Sequence, residues 1–310
     1  MTAIETTGLT KYYGAQTVVS DVSLQVPKAC VYGFVGPNGA GKTTVMRLLL
    51  GLLRADAGTV RLFGHDLQKN RRAALGNVGA VIESPALYGH LSGWSNLRLT
   101  CTLLGLPDAE ADRVLELVEL TKASGQKVGT YSLGMKQRLA IARTLLGAPR
   151  LLLLDEPTNG LDPDGIISMR AFIRDLPDRI NGTVFVSSHL LSEVQQIADY
   201  VGLMQTGRLT IQDKVASLIG NSSNYLMEVD DPGRGTEILI ASGFVAENRS
   251  GAILLICAND RDVREQTARA NRLLVQAGHA VSGLSSQPTS LEDIYRVALN
   301  QAPIEQRAKI

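Results

Sequence analysis

Apolar and polar residues alternate along residues 1–30, and Gly14 and Pro27 interrupt the alternation. A period of two belongs to a half-buried strand, so this stretch predicts short antiparallel strands joined by turns. Val31–Val35 is instead a continuous apolar run that leads into a glycine-rich turn. Residues 43–53 then have helical spacing and are closed by turn residues at 55–58. From 92 to 148 the period is helical, broken at Gly105–Pro107 and at Gly125. Residues 151–154 are four leucines, and 183–187 form a second short apolar run. Runs apolar on both faces mark parallel strands covered on each side. With residues 166–176 helical between them, the alternation predicts an α/β fold, a parallel sheet with helices on both faces.

The texture changes after Ile219. Residues 220–224 are polar and turn-rich, which predicts a linker and a division into domains 1–219 and 220–310. Beyond it the pattern reads strand 225–229, helix 235–241, strand 244–247, strand 252–257, helix 263–277, strand 280–284 and helix 290–300. That order suits a small α+β, ferredoxin-like appendage.

Composition narrows the possibilities. The 310 residues are 45% hydrophobic, enough for a sizeable core, and disorder is excluded. A net charge of +1 gives no sequence-independent grip on nucleic acid, and none is expected as a partner. Cys30, Cys101 and Cys257 are scattered without a C-x-x-C pair, so reduced thiols rather than a disulfide framework or zinc site are expected. The first ten residues lack the basic and apolar segments of a signal peptide, and no apolar stretch approaches the roughly 20 residues of a spanning helix. The chain is not expected to cross a membrane by itself.

Candidate chemistry sits where strands meet turns. Gly36-Pro37-Asn38-Gly39-Ala40-Gly41-Lys42-Thr43 matches G-x-x-x-x-G-K-[ST], follows a predicted strand and opens a helix. Glycines there let backbone N–H groups close around phosphates, and the helix dipole adds to the attraction. Lys42 would reach the β- and γ-phosphates, with the Thr43 hydroxyl on Mg²⁺ and Thr44 beside it. Asp155 and Glu156 end the leucine run, where open α/β sheets bind ligands. Asp155 would hold Mg²⁺ and Glu156 would polarise water as a general base. The two motifs together predict hydrolysis of a nucleoside triphosphate.

Further motifs are more specific. Tyr131-Ser132-Leu133-Gly134-Met135-Lys136-Gln137-Arg138 resembles the signature motif of ABC ATPases, and Pro157-Thr158-Asn159-Gly160-Leu161-Asp162 resembles their D-loop region. Ser187-Ser188-His189 after an apolar strand is similar to their switch histidine, and Tyr13 resembles their adenine-stacking aromatic, in preference to the adjacent Tyr12. The resemblance spans about residues 3–215. It implies the ABC ATPase fold of a phosphate-loop NTPase: a parallel core sheet, an antiparallel β subdomain and a helical subdomain. It also implies ATP and Mg²⁺ as cofactors and head-to-tail pairing with a second ATPase subunit, a homodimer being expected. ATP on Lys42 of one subunit would be closed over by Ser132 and Gly134 of the other, with His189 and Glu156 on the attacking water; the bland alternative for His189 is a core histidine.

Three positions depart from the family pattern. Leu133 and Met135 stand where Gly and Gln are usual, while Ser132 and Gly134 are retained. Glu83 replaces the Gln that touches Mg²⁺ in most relatives. Glu83, the Pro85–Tyr88 segment and the signature stretch together resemble the ATPase subunits of bacitracin-type and lanthipeptide immunity exporters. The resemblance therefore implies an ATPase on the cytoplasmic face of a cell membrane, attached to a separate transmembrane permease and powering efflux of a peptide antibiotic or similar amphipathic compound. Pro85, Leu87, Tyr88, Leu91 and Trp94 suit either a permease contact or a local core. The appendage is expected to serve dimer contact or regulation. A soluble ABC ATPase acting on ribosomes or nucleic acid is the alternative reading. Against it stand the single cassette, the lack of a long coiled-coil insertion and the near-neutral charge.

Overall fold

A computed structural model describes residues 2–82, 86–220, 223–257 and 263–301. The chain divides into two compact units, one ending at Gln212 and the other beginning at Asp213. The first contains β1 (Thr2–Tyr13), β2 (Gln16–Val22), β3 (Gln25–Pro27), β4 (Val31–Val35), α1 (Lys42–Leu49), β5 (Ala57–Leu62), β6 (His65–Asp66), α2 (Arg71–Leu75) and β7 (Val78–Val81). It continues with α3 (Gly93–Leu104), α4 (Ala109–Leu117), α5 (Leu133–Leu145), β8 (Leu151–Asp155), α6 (Pro163–Ile180), β9 (Thr183–Ser188), α7 (Leu191–Ile197) and β10 (Tyr200–Gln205). β11 (Arg208–Lys214) crosses the division.

The central sheet has the order β11-β10-β4-β9-β8-β7, and β10, β4, β9, β8 and β7 run parallel to one another. Every residue of β4 and β9 and all four leucines of β8 are buried. The leucine run feeds two cores at once because side chains alternate across a strand. Leu151 and Leu153 pack with Val45, Met46, Leu48 and Leu49 of α1. Leu152 and Leu154 pack with Leu139 and Ala142 of α5 and Met169, Phe172 and Ile173 of α6.

A second, antiparallel sheet has the order β2-β1-β5-β6, with β3 also on β1. The pattern of residues 1–30 predicted short strands, yet β1 runs for 12 residues. Register shifts at 2/4, 9/11 and 11/12 bend it, so that its start pairs with β3 and its end with β2. The helix expected over 43–53 is shorter, ending at Leu49, because the following amides turn back: Gly51 N donates to Leu48 O and Leu52 N to Arg47 O. Strands β5, β6, β7, β10 and β11, which no periodicity announced, complete the two sheets. Cys30 and Cys101 are buried and free. Burial and the charge of Asp199 push the Cys30 thiol up to about 12.

The second unit contains α8 (Val215–Gly220), β12 (Ser223–Val229), α9 (Pro232–Ala241), β13 (Val245–Arg249), β14 (Ala252–Cys257), α10 (Val263–Gln276), β15 (Val281–Gln287) and α11 (Leu291–Gln301). Its sheet is antiparallel in the order β13-β14-β12-β15, the ferredoxin-like arrangement of a βαββαβ chain. Met227, Ile253 and Leu255 of the sheet pack against Leu239 of α9 and Ala270 and Leu274 of α10. A capping box starts α11: Asp293 Oδ2 accepts from Ser290 N at 2.9 Å, and Asp293 N donates to Ser290 Oγ at 3.2 Å.

Candidate functional site

The glycine-rich loop leaves the carboxyl end of β4 and becomes α1. Gly36 N donates to Ser188 O on the neighbouring strand at 3.3 Å, and the Pro37 carbonyl accepts from Ala40 N at 3.1 Å. Gly36 and Gly41 have steric reasons to be glycine. A Cβ on Gly36 would lie 2.3 Å from Met204 O, and one on Gly41 would lie 2.8 Å from Val18 O. Gly41 also has φ +99°, which an L side chain rarely adopts. Ala40 is buried. Lys42 is only 6% exposed, and its Nζ donates to Gly36 O at 2.6 Å and Pro37 O at 3.2 Å. The lysine therefore lies inside the curl of its own loop, where a phosphate's negative charge is best met.

Facing the loop are the ends of β8 and β9. The Thr43 hydroxyl donates to Asp155 Oδ2 at 2.8 Å, and Ser187 Oγ donates to Asp155 Oδ1. Ser187 Oγ also accepts from Glu156 N at 2.9 Å, so one hydroxyl ties both acidic residues to β9. Glu156 has φ +49°, in the left-handed region, which for a non-glycine residue costs roughly 1–2 kcal/mol. Its carbonyl accepts from Asn159 N at 3.0 Å, which helps hold this conformation. The bend carries the carboxylate to 3.4 Å from Lys42 Nζ and 2.6 Å from His189 Nδ1. A group with one oxygen toward a lysine and the other on an imidazole is oriented for proton transfer at a fixed point.

A cavity of about 480 Å³ opens between these elements. Asn38, Gly39, Gly41, Lys42, Thr43 and Thr44 line its loop side, and Glu156, Asn159 and His189 line the other. Val18, from β2, completes the wall. Sequence reading brought most of these together but gave no role to Val18, Asn159 or Ser187. Tyr13, Ser132 and Gly134 do not line this cavity. Tyr13 is 46% exposed at the end of β1, with Lys11 Nζ 5.8 Å from its ring centre. Ser132 caps α5, accepting from Met135 N at 3.2 Å, and the neighbouring Leu133 is 47% exposed. Glu83 lies outside the described residues, as does Pro85. Of the apolar residues near it, Leu87 and Trp94 pack against the core and Tyr88 is exposed.

Glu193 is a site residue that no motif signalled. It is 3% exposed on α7, and its Oε2 accepts from Thr158 Oγ1 at 2.7 Å and Ser188 Oγ at 3.3 Å. Its Oε1 pairs with Arg170 at 3.0 Å. It thus links the residues that follow Glu156 to those that precede His189. Glu193→Ala removes the charge partner of the largely buried Arg170, leaving it only the Gln196 amide oxygen at 3.0 Å, and strips the buried Thr158 hydroxyl of its acceptor, so it is expected to cost about 3 kcal/mol in chemical denaturation. An unchanged denaturation midpoint would contradict this role.

Residues 19–159 match the family described as ABC transporter. The bacitracin transport ATP-binding protein of Bacillus licheniformis is 39% identical over 299 residues, 95% of this chain and 96% of that protein. The lantibiotic transport ATP-binding protein of Streptococcus pyogenes is 40% identical over 204 residues, 66% of this chain and 87% of that protein. A solved ATP-binding subunit of an ABC transporter superposes with a TM-score of 0.61 at 27% identity, over 70% of this chain and 92% of that one. With the loop, the acidic strand end and the fold all in agreement, this chain belongs to the ATP-binding proteins of ABC transporters, the ATPases that couple hydrolysis to transport.

Proposed function

We propose that this chain is the motor of an exporter whose channel is a separate membrane protein. The observation that carries the reading is one continuous polar chain, Thr43–Asp155–Ser187–Glu156–His189, closed on the other side by Lys42. Loop amides and Lys42 bind the ATP phosphates. Glu156 takes the proton of the attacking water, and His189 holds that carboxylate in place. Thr43 and Asp155 place two hard oxygen donors 2.8 Å apart, the donor set Mg²⁺ takes, with Glu83 a further candidate. When bound, the ion neutralises phosphate charge.

Ser132 caps the start of α5, and the positive end of that helix is a ready anion site. Because Ser132 and Gly134 are absent from the loop cavity, their phosphate is that of a second subunit, and two copies form a head-to-tail homodimer with composite sites. No described helix is long and apolar enough to cross a membrane, which fits attachment through a permease at the inner membrane face. The relatives named for bacitracin and lantibiotic transport favour a peptide antibiotic or similar amphipathic cargo, and a role in self-immunity. The second unit serves dimer contact or regulation.

The test is purification of tagged Glu156→Gln protein, held with ATP, from native membranes in mild detergent. A stoichiometric integral membrane partner is expected. Recovery with ribosomes, nucleic acid or soluble partners alone would overturn the exporter reading while leaving the ATPase intact.

A further inference from the structure

Away from the loop cavity, three helices of the first unit are pinned at one point. Glu119 follows the end of α4 with φ +62°, a left-handed conformation that swings its carboxylate back between α5 and α6. Oε2 accepts from Arg138 of α5 at 2.9 Å. Oε1 accepts from Arg179 of α6 at 3.2 Å. The same two arginines cap the carboxyl end of α4: Arg138 donates to Val118 O at 3.0 Å and Arg179 to Leu117 O at 3.1 Å. Arg138 reaches Ser168 Oγ of α6 at 3.0 Å as well. The buried ring of Phe172 lies 4.7 Å from the Arg138 guanidinium and 5.7 Å from that of Arg179.

The leading ends of α5 and of the turn into α6 also touch. Gln137 Nε2 donates to Asn159 O at 3.3 Å. A Cβ on Gly160 would lie 3.2 Å from Leu133, and one on Gly134 would lie 3.7 Å from Leu161. Helix α5 is therefore held against α6 at two places: at its start, where Ser132 and Gly134 sit, and one to two turns later by Arg138. Arg138 lies six positions beyond the cap Ser132, about 9 Å along the axis at 1.5 Å per residue. A helix clamped at that distance cannot tilt its first turn independently.

We propose that Glu119, with Arg138 and Arg179, is a positioning hub that fixes α5 on α6. It thereby makes Ser132, Gly134 and the segment 159–162 a single rigid edge presented to the nucleotide of the second subunit. The inference rests on the composite-site reading above. Glu119 touches no substrate and acts only through the helices. A carboxylate is required because two guanidinium groups converge on it, and arginine is required at 138 because one fork serves three acceptors on two elements.

The experiment compares full-length Glu119→Gln, Arg138→Lys, Ser132→Ala and the Glu119→Gln/Ser132→Ala double variant. Each is measured for ATP turnover at saturating ATP and for affinity of a fluorescent ADP analogue. The hub predicts turnover reduced about 2- to 30-fold in Glu119→Gln and in Arg138→Lys, with ADP affinity unchanged. It further predicts that Glu119→Gln adds little once Ser132 is already alanine, since both act on one contact. Wild-type turnover in both Glu119→Gln and Arg138→Lys overturns the hub. Loss of ADP affinity in step with turnover, with effects that multiply in the double variant, reduces it to general stability and overturns it also. Wild-type turnover in Ser132→Ala instead defeats the composite-site reading itself, and the hub with it.

Discussion

Replacing Glu156 by glutamine is expected to lower ATP turnover by about two to four orders of magnitude, the contribution of a positioned general base, and to leave ATP bound. The amide keeps the side chain's size and can still meet His189, whose Nδ1 lies 2.6 Å from the carboxylate, but it cannot accept a proton from water. The neighbouring Asp155 does not replace Glu156, because both its oxygens are engaged by the hydroxyls of Thr43 and Ser187. Binding is expected to survive, since in the proposed site the loop amides and Lys42 would hold the phosphates without the carboxylate, and loss of the negative charge 3.4 Å from Lys42 would leave that lysine freer to face them. Phosphate release, followed alongside retention of labelled ATP through gel filtration, reads both effects. Turnover within tenfold of wild type would mean that another group takes the proton.

Gly36→Ala is expected to destabilise the first unit by about 3 kcal/mol, at the upper end for overpacking, and to abolish tight nucleotide binding. The added methyl would sit 2.3 Å from the Met204 carbonyl, so the carboxyl ends of β4 and β10 must part. Backbone cannot yield as a flexible side chain does. The loop would move with the strand, because Gly36 N also bonds to Ser188 O. For a unit of this size, about 3 kcal/mol corresponds to a fall of roughly 6–12 °C in Tm. Gly39→Ala is the control, since its Cβ meets nothing within 4 Å and suffers only from φ +80°. That strain is about 1–2 kcal/mol. Equal losses in the two variants would show that backbone conformation, not the crowding of β4 against β10, explains Gly36.

The parts of this protein written in contiguous residues were legible in the sequence. The phosphate loop places its backbone donors, Lys42 and Thr43 within eight residues, so spacing alone points to a candidate phosphate site. The four leucines of β8 and the run of β9 identify doubly covered strands because burial on both faces leaves no alternation to read. Asp155 and Glu156 were assigned because they end such a run. Tertiary structure alone decided which distant residues stand behind them. Ser187 reaches Glu156 across 31 residues, Glu193 reaches Thr158 across 35, and Glu119 gathers partners 19 and 60 residues away. The bent course of β1 has the same origin, since its bulges let one strand serve β2 and β3 in turn. Hydrophobic periodicity reports which side of an element is buried, a local property. It carries no information about which hydroxyl or carboxylate will lie opposite once strands and helices pack, and that choice belongs to the order of the strands in the sheet.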